Sequence, residues 1–477
     1  MTDKTCAYEG CHEPVNSPHD DEYCIFHAPV EKKGEYSNFH NKIMDKQSRG
    51  DCNYKGFIFP KGFVFREGGR KDGGKISFLK FADFKDAEFY GDAYFSKAQF
   101  AEDADFTNAR FFGCSYFNKT KFSKYADFSK AQFLGSAYFD RTCFDDRVLY
   151  ESLKIKKLIE FTNISLAEKA RFYFNNPDFA LKGNECVRVV FDVVKFNPFA
   201  VYFENIGLAS KVDNVCLIFR YCQLKDVYFT NNNMFLFSFY KSSYDEAMFI
   251  SSKWGAEKDR ILIFPYLRKN VIMEEKFLGD LSKYSDNDKA KKFREDYEIE
   301  DFSSHKDIAA LYRRMKTALD NTKDYQQASW FYFNEFEMKR KAMEEEIESD
   351  PSKIRQVFNK LFSKYILYFL YKVLAGYGEK PMWSFYWLGF FLGVFTLLNY
   401  LIGVHPVING PDISPNLWDS FIFALYRILP TNYIPYTRNF YVPPNFWGLL
   451  VPFLNTLVLI IMIAFIGIGL KRHFRRF

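Results

Sequence analysis

Four residues near the start of the chain have the types and spacing of a metal site. Cys6, Cys11, Cys24 and His27 read C-x4-C-x12-C-x2-H. A tetrahedral ion needs four donors, and two close pairs joined by a short loop supply two corners each. The stretch from Cys6 to Ala28 is polar, holds two prolines and cannot build an apolar core, so a bound metal would supply its folding energy. Four protein ligands leave no open position, which makes the expected ion a structural zinc rather than a catalytic one. His12 and His19 are substitute ligands. Residues 1–34 are therefore read as a zinc-binding segment.

A second set of residues has the chemistry of an ion path and lies at the other end of the chain. Trp383 to Val404 and Phe446 to Leu470 are 22 and 25 residues long without one charge. Each reaches the roughly 20 residues that a helix needs to cross about 30 Å of hydrocarbon. Between them, Trp418 to Leu429 is an apolar stretch of twelve residues, the length of a re-entrant helix rather than a span. Span, half-helix, short loop and span is the layout of two-span pore domains. On that reading Thr431, Asn432 and Tyr433 form the narrow part. Asn455, an amide deep in the second span, faces the assembly axis, because in lipid it would go unsatisfied. Arg427 stands at the mouth, and Asp419 of a neighbouring subunit is its expected partner.

These residues need elements to hold them. Four Lys/Arg follow the second span directly in Lys471-Arg472-His473-Phe474-Arg475-Arg476, and Lys364, Lys372 and Lys380 precede the first. Positive charge marks the cytoplasmic side, so both termini are expected inside an inner cell membrane, with the loop outside. The first 20 residues are polar, and no signal peptide is expected. Nine cysteines in a cytoplasmic setting read as thiols or metal ligands, not disulfides. The net charge of +6 is partly the basic tail and gives no case for nucleic acid.

Aromatic residues are abundant, with 57 Phe and 32 Tyr, and their spacing is regular. From Ala82-Asp83-Phe84 the pattern small–any–Phe recurs at Phe89, Phe95, Phe100, Phe106 and Phe111, then as a Phe ladder to Phe144. The steps alternate five and six, a period of neither helix nor flat strand, and a fixed short period means a solenoid. Each Phe would point inward and stack on the next coil, with the small residue filling the crowded interior. A second block, Phe219, Leu224, Phe229, Met234, Phe239, Tyr244, Phe249 and Trp254, keeps a strict step of five. The ladder resembles the pentapeptide-repeat proteins. That resemblance implies a right-handed, quadrilateral β-helix with about twenty residues per coil, here interrupted and covering 78–254. The alternating five–six step departs from the family's strict five and would widen the coil. Some soluble relatives of this kind imitate DNA. Here residues 82–146 carry eleven acidic against eight basic side chains, a net of −3, with the signs interspersed. That is far from a duplex with one charge per roughly 1.7 Å.

Residues 300–345 read as a helical hairpin, with Ile308, Leu311, Met315 and Leu319 on one helix and Tyr325, Ala328, Phe331 and Phe336 on the next. Glu335–Lys339 and Glu337–Lys341 are expected as i,i+4 pairs on a solvated face. The hairpin is either a linker or a groove for a cytoplasmic protein partner. Phe362 to Tyr371 is expected to lie along the inner membrane surface.

The combination of ladder, the helix carrying Tyr325 to Arg340, Tyr377-Gly378 before the first span and a basic tail looks like prokaryotic pentapeptide-repeat proteins ending in an ion-channel-like domain. The resemblance implies a homotetramer in the lipid bilayer that conducts inorganic ions, with membrane residues 360–477 (spans 383–404 and 446–470, re-entrant helix 418–429) as its pore. No glycine lies between Pro411 and Gly448, so carbonyl rings of the potassium-filter kind are not expected, and conduction should be weakly selective. The alternative is a membrane-anchored, protein-binding scaffold without conduction. No phosphate loop, nucleophile elbow or H-E-x-x-H occurs, and no enzyme is expected.

Overall fold

The computed structural model describes residues 4–16, 19–65, 76–179, 186–196, 201–208, 215–239, 241–261, 264–281, 304–349, 363–407, 415–427 and 440–474. The chain divides into two compact units. The first is Met1–Glu257 with Leu267–Ala328, and the second is Lys258–Tyr266 with Ser329–Phe477.

The first unit is a β-solenoid of about seven turns. Its short strands form four parallel sheets of six, five, eight and seven members. The alternating step of five and six adds up to a coil of 22 residues, seen in the register Ala82↔Ala104↔Ala126. Where the step is a strict five the coil shortens to 20, as in Tyr228↔Met248. Between these blocks it lengthens through insertions, with Val148↔Phe172 and then Phe172↔Val201.

The ladder side chains fill the interior as the spacing predicts. Phe84, Phe95, Phe100, Phe106 and Phe111 are wholly buried, and so are Ala82, Ala87 and Ala98 two positions before a Phe. Each ring lies on the ring one coil away: Phe84 on Phe106 and Phe106 on Phe128 at 4.9 Å, Phe95 on Phe117 at 5.1 Å, Phe100 on Phe122 at 4.8 Å. Such pairs add about 0.5–1.5 kcal/mol beyond their area burial. Where Thr replaces the small Ala, its hydroxyl donates to a carbonyl of the neighbouring coil, Thr120 to Phe95 at 2.6 Å and Thr142 to Phe117 at 2.7 Å. Those hydroxyls would otherwise be costly to bury.

The five-residue step is a β-turn. Ala87 N–H donates to Phe84 C=O, and Asp86 between them has φ 59°. The same left-handed residue recurs every eleventh position, at Lys97, Asn108, Lys119, Lys130 and Arg141. A positive φ third residue marks the type II turn, usually a glycine position. Here each of these residues also donates its amide to the next coil, as Asp86 does to Thr107 and Lys97 to Asn118, so the ladder holds the strained conformation. At one six-residue corner Gly91, Gly113 and Gly135 stack. A Cβ on Gly113 or Gly135 would collide with the backbone of the glycine one coil before it.

The solenoid starts before the stretch that the Phe pattern marks. Tyr54 stacks on Phe84 at 4.8 Å and Phe59 on Phe89 at 4.6 Å, with Ile58–Phe59 paired to Glu88–Phe89. Helix α1 (Tyr36–Ser48) buries Phe39 and Ile43 at this end. Helices α2 (Met273–Leu281) and α3 (His305–Asn321) close the other end. Tyr244 donates to Leu311 C=O at 3.1 Å, Arg314 to Ser242 C=O at 3.3 Å, and Glu274 accepts the Phe239 amide at 2.8 Å. Ile308, Leu311, Met315 and Leu319 are thereby buried, so that face of α3 is covered rather than open as a groove.

The second unit holds most of α4 (Tyr325–Ser349), then α5 (Ser363–Ala375), α6 (Pro381–Ile402), α7 (Leu417–Tyr426) and α8 (Phe446–Phe474). The two helices expected between 300 and 345 are present, but the boundary between units falls at Ala328, in the first turn of α4. Helices α6 and α8 are long and apolar enough to cross a membrane.

Two substitutions separate ladder from surface. Phe106→Ala should lower the unfolding free energy of the full chain by about 3–5 kcal/mol, as core aromatic truncations do. Arg110→Ala, at a half-exposed side chain 3.0 Å from Glu88, should cost under about 1 kcal/mol. Denaturant titration followed by fluorescence checks both, and equal losses would contradict the inward ladder.

Candidate metal centre and membrane hairpin

The first coil and the segment before it bring Cys6, Cys11, Cys24 and His27 together, with their ligand atoms all within 4.8 Å of one another. Cys11 Sγ lies 3.8 Å from Cys24 Sγ, and His27 Nδ1 lies 3.5 Å from Cys6 Sγ and 3.2 Å from Cys24 Sγ. The edge of a tetrahedron with Zn–S bonds of about 2.3 Å is roughly 3.8 Å, so the sulfur spacing fits zinc. His27 Nε2 sits 3.0 Å from Lys55 C=O. Donation there places the proton on Nε2 and leaves the Nδ1 lone pair facing the sulfurs, the usual orienting bond of a metal-bound imidazole. Tyr8 stacks on the His27 ring at 4.0 Å. His12 and His19, the substitute ligands, are exposed and lie outside the cluster.

Burial pushes the Cys24 and Cys11 thiols above their usual range and holds His27 down at about 4. A bound dication reverses this for the thiols, which become thiolates. The Cys3His cluster can hold a metal ion, and zinc would cross-link the segment without taking part in chemistry. The segment is tied to the solenoid at the same place: Ile58 N–H donates to Phe26 C=O at 2.9 Å, and Phe26 stacks on Phe57 at 4.5 Å.

In the second unit α7 packs against α6, and Phe395, Ala424 and Val451 from α6, α7 and α8 share one core. Asn416 caps α7 by accepting the Asp419 amide at 2.9 Å, and Arg427 ends it with its guanidinium 4.9 Å from the Phe423 ring. Asp419 and Arg427 thus stand at opposite ends of α7. Where the re-entrant helix 418–429 is expected, a helix runs over Leu417–Tyr426, and residues 428 and 429 lie outside the described residues. Thr431, Asn432 and Tyr433 lie outside the described residues. Asn455 corrects the sequence reading. It is wholly buried within the chain, where Nδ2 reaches Ala424 C=O at 3.4 Å, so α7 and not an assembly axis receives the amide. Gly469 of α8 is a close-packing position, since a Cβ there would stand 3.1 Å from Pro381 Cβ.

The α4–α5 end of this unit contains a site that the sequence reading missed. Glu337 of α4 is buried and accepts from Lys372 Nζ, Arg340 Nη2 and Tyr377 Oη, each at 2.9 Å. The expected solvated pair Glu337–Lys341 is therefore replaced by a buried cluster, whereas Glu335–Lys339 forms at 2.6 Å. Lys372, at the end of the apolar stretch 362–371, is buried and paired with this carboxylate. Tyr377 is held at φ 57° between Gly376 and Gly378, in a region that costs a non-glycine residue about 1–3 kcal/mol. The signal was present in the stretch around Tyr325–Arg340 and in Tyr377-Gly378, but the contact between them spans 40 residues. Beside the cluster, Lys380 Nζ stands 4.1 Å from the Trp383 ring centroid and 5.4 Å from that of Phe333. Burial, then the Lys372 charge, pushes it down to about 8. Ser384 and Trp387 of α6 donate to Leu374 and Val373 carbonyls of α5 at 3.0 and 2.9 Å.

Known proteins bear on one part of this geometry. Residues 75–115 match the family model for pentapeptide repeats, described as nine copies. No curated protein and no solved structure matches the chain. The family match and the observed coil agree on a pentapeptide-repeat solenoid, and no family match covers the second unit.

Two measurements test these sites. The purified protein should contain one equivalent of zinc, and Cys24→Ser should lose most of it, as read by metal analysis. Burial favours the protonated form of Glu337, but Lys372 and Arg340 outweigh it and hold the carboxyl at about 2, below its ordinary 4.5. Its ionised form therefore stabilises the unit above about 4.5, and that contribution is lost as pH falls through about 2. Glu337→Gln leaves the buried Lys372 without its counter-charge, while Arg340 keeps Glu344 at 3.1 Å, and should cost about 3–5 kcal/mol at pH 7. It should also flatten the acid limb of thermal stability between those pH values.

Proposed function

We propose that the chain is one subunit of a membrane pore, with the pentapeptide-repeat solenoid as its cytoplasmic sensing or gating arm. The observation that carries this reading is α7, a ten-residue apolar helix that lies in sequence between two helices of membrane-spanning length, packs on α6 and shares a small core with α8. A simple tether has no use for such a helix, whereas a pore needs one to position the loop that follows it. The outer surface supports an assembly in lipid, because Leu401, Phe453 and Ile460 are exposed on α6 and α8 and need lipid or further copies to cover them. In this reading four copies surround a path lined by Thr431, Asn432 and Tyr433, with Arg427 at its mouth. Both termini lie inside an inner membrane of the prokaryotic kind. The solenoid is right-handed and four-sided, its zinc is structural, and the protein works without catalysing a reaction. The lack of glycine after α7 makes the path weakly selective among inorganic ions.

Reversal potential in a planar bilayer under a potassium-to-sodium gradient tests this. A conductance with a reversal potential near zero is expected. Strong potassium selectivity would defeat the argument from the loop. A silent but correctly inserted protein would favour an anchored scaffold whose solenoid or α3–α4 region holds a protein partner.

A further inference from the structure

The four ligands of the metal centre are not equally protected. Cys24 is 1% exposed, His27 6% and Cys6 7%, whereas Cys11 is half-buried. Cys11 also lines a cavity of about 170 Å³ together with His12, His27, Lys46, Asn53 and Lys55, and neither Cys6 nor Cys24 reaches it. A molecule of the size of water or hydrogen peroxide therefore has access to one sulfur of the set. That sulfur stands 3.8 Å from the buried Cys24 Sγ. A disulfide requires about 2.0 Å, so the two can join with a small shift of the Cys11 loop.

We propose that Cys11 is an oxidation site through which a peroxide unloads the metal centre. The Cys11 thiolate attacks one peroxide oxygen. An S–O bond forms, the O–O bond breaks, and two electrons pass from sulfur to the leaving hydroxide, which takes a proton from solvent. The Cys24 thiolate then attacks the sulfenic sulfur. The S–S bond forms, the S–O bond breaks, and the second hydroxide leaves and is protonated. Two thiolates become one disulfide, and one peroxide becomes two waters. Cys6 and His27 alone do not complete a tetrahedron, so the ion departs. The loss reaches the solenoid because the Cys24–His27 turn carries both the Lys55 contact of His27 and the Phe26 carbonyl that receives the Ile58 amide.

The proposal rests on the metal reading, and the zinc content of the untreated protein tests that reading separately. Zinc-loaded full-length protein in detergent is exposed to hydrogen peroxide, with released zinc followed by a chromogenic chelator and thiols mapped by peptide mass. The expected result is one zinc released per Cys11–Cys24 disulfide. Cys11→His keeps four donors and should release zinc at least about tenfold more slowly, because an imidazole is not a peroxide nucleophile as a thiolate is. A second variant, with Cys114, Cys143 and Cys186 all changed to Ser, removes other half-exposed thiols and should release zinc as the parent does. Release with Cys11 unmodified, an unchanged rate in Cys11→His, a disulfide through Cys6, or loss of the response in the triple variant would each overturn the assignment.

Discussion

A ring laid on a like ring one coil away is the contact on which the solenoid depends. It requires every inward position to recur at the length of a coil, here 22 residues in the regular part. That condition dictates the rest. The residue two before each Phe must be small, the turn between them must be tight enough to need a left-handed residue, and each amide must find a carbonyl on the next coil. A solenoid built this way has two open ends, and exposed strand edges invite pairing with other chains. The chain closes one end with α1 and the Cys/His segment and the other with α2 and α3. The metal centre is thus part of a cap, and in that place a polar stretch with no core of its own becomes ordered.

The second unit, in the proposed membrane reading, answers to a different constraint. Helices in hydrocarbon satisfy their own backbone, so specific contacts between them come from the few polar groups and small residues that remain. Asn455 directs its amide to α7, and Gly469 lets α8 approach Pro381. At the α4–α5 end one buried carboxylate, Glu337, ties three segments together and keeps Tyr377 in a strained turn immediately before α6. The buried pair is weak evidence for net stability, since desolvation offsets its attraction, but breaking it is costly.

Much of this was legible in the residues. The Phe ladder announced a solenoid because a buried position recurring at a fixed short step fits neither a lone helix nor a flat sheet. The alternation of five and six foretold a wider coil, and the structure has 22 residues against 20. The first coil escaped notice for two reasons. Tyr54 stands where a Phe would be expected, and the residues after Phe65 break the step before the ladder resumes at Phe78. The Cys and His spacing told which four side chains converge, but not that Cys11 is the sulfur facing a cavity. Glu337 was misread because local i,i+4 spacing favoured a solvated partner, whereas its actual partners Lys372 and Tyr377 lie 35 and 40 residues away. For Asn455, the cost of an unsatisfied amide in lipid shows that the group needs a partner without showing which one.

The span, half-helix and span of this chain are held to form one part of a pore assembled from several copies. The most direct measurement is the mass of the protein component in its detergent complex, by light scattering coupled to size exclusion. The expected mass is a defined multiple of the 56.4 kDa chain, with four copies as the expected number. A monomer across the accessible concentration range, in detergents that preserve the fold, would contradict it.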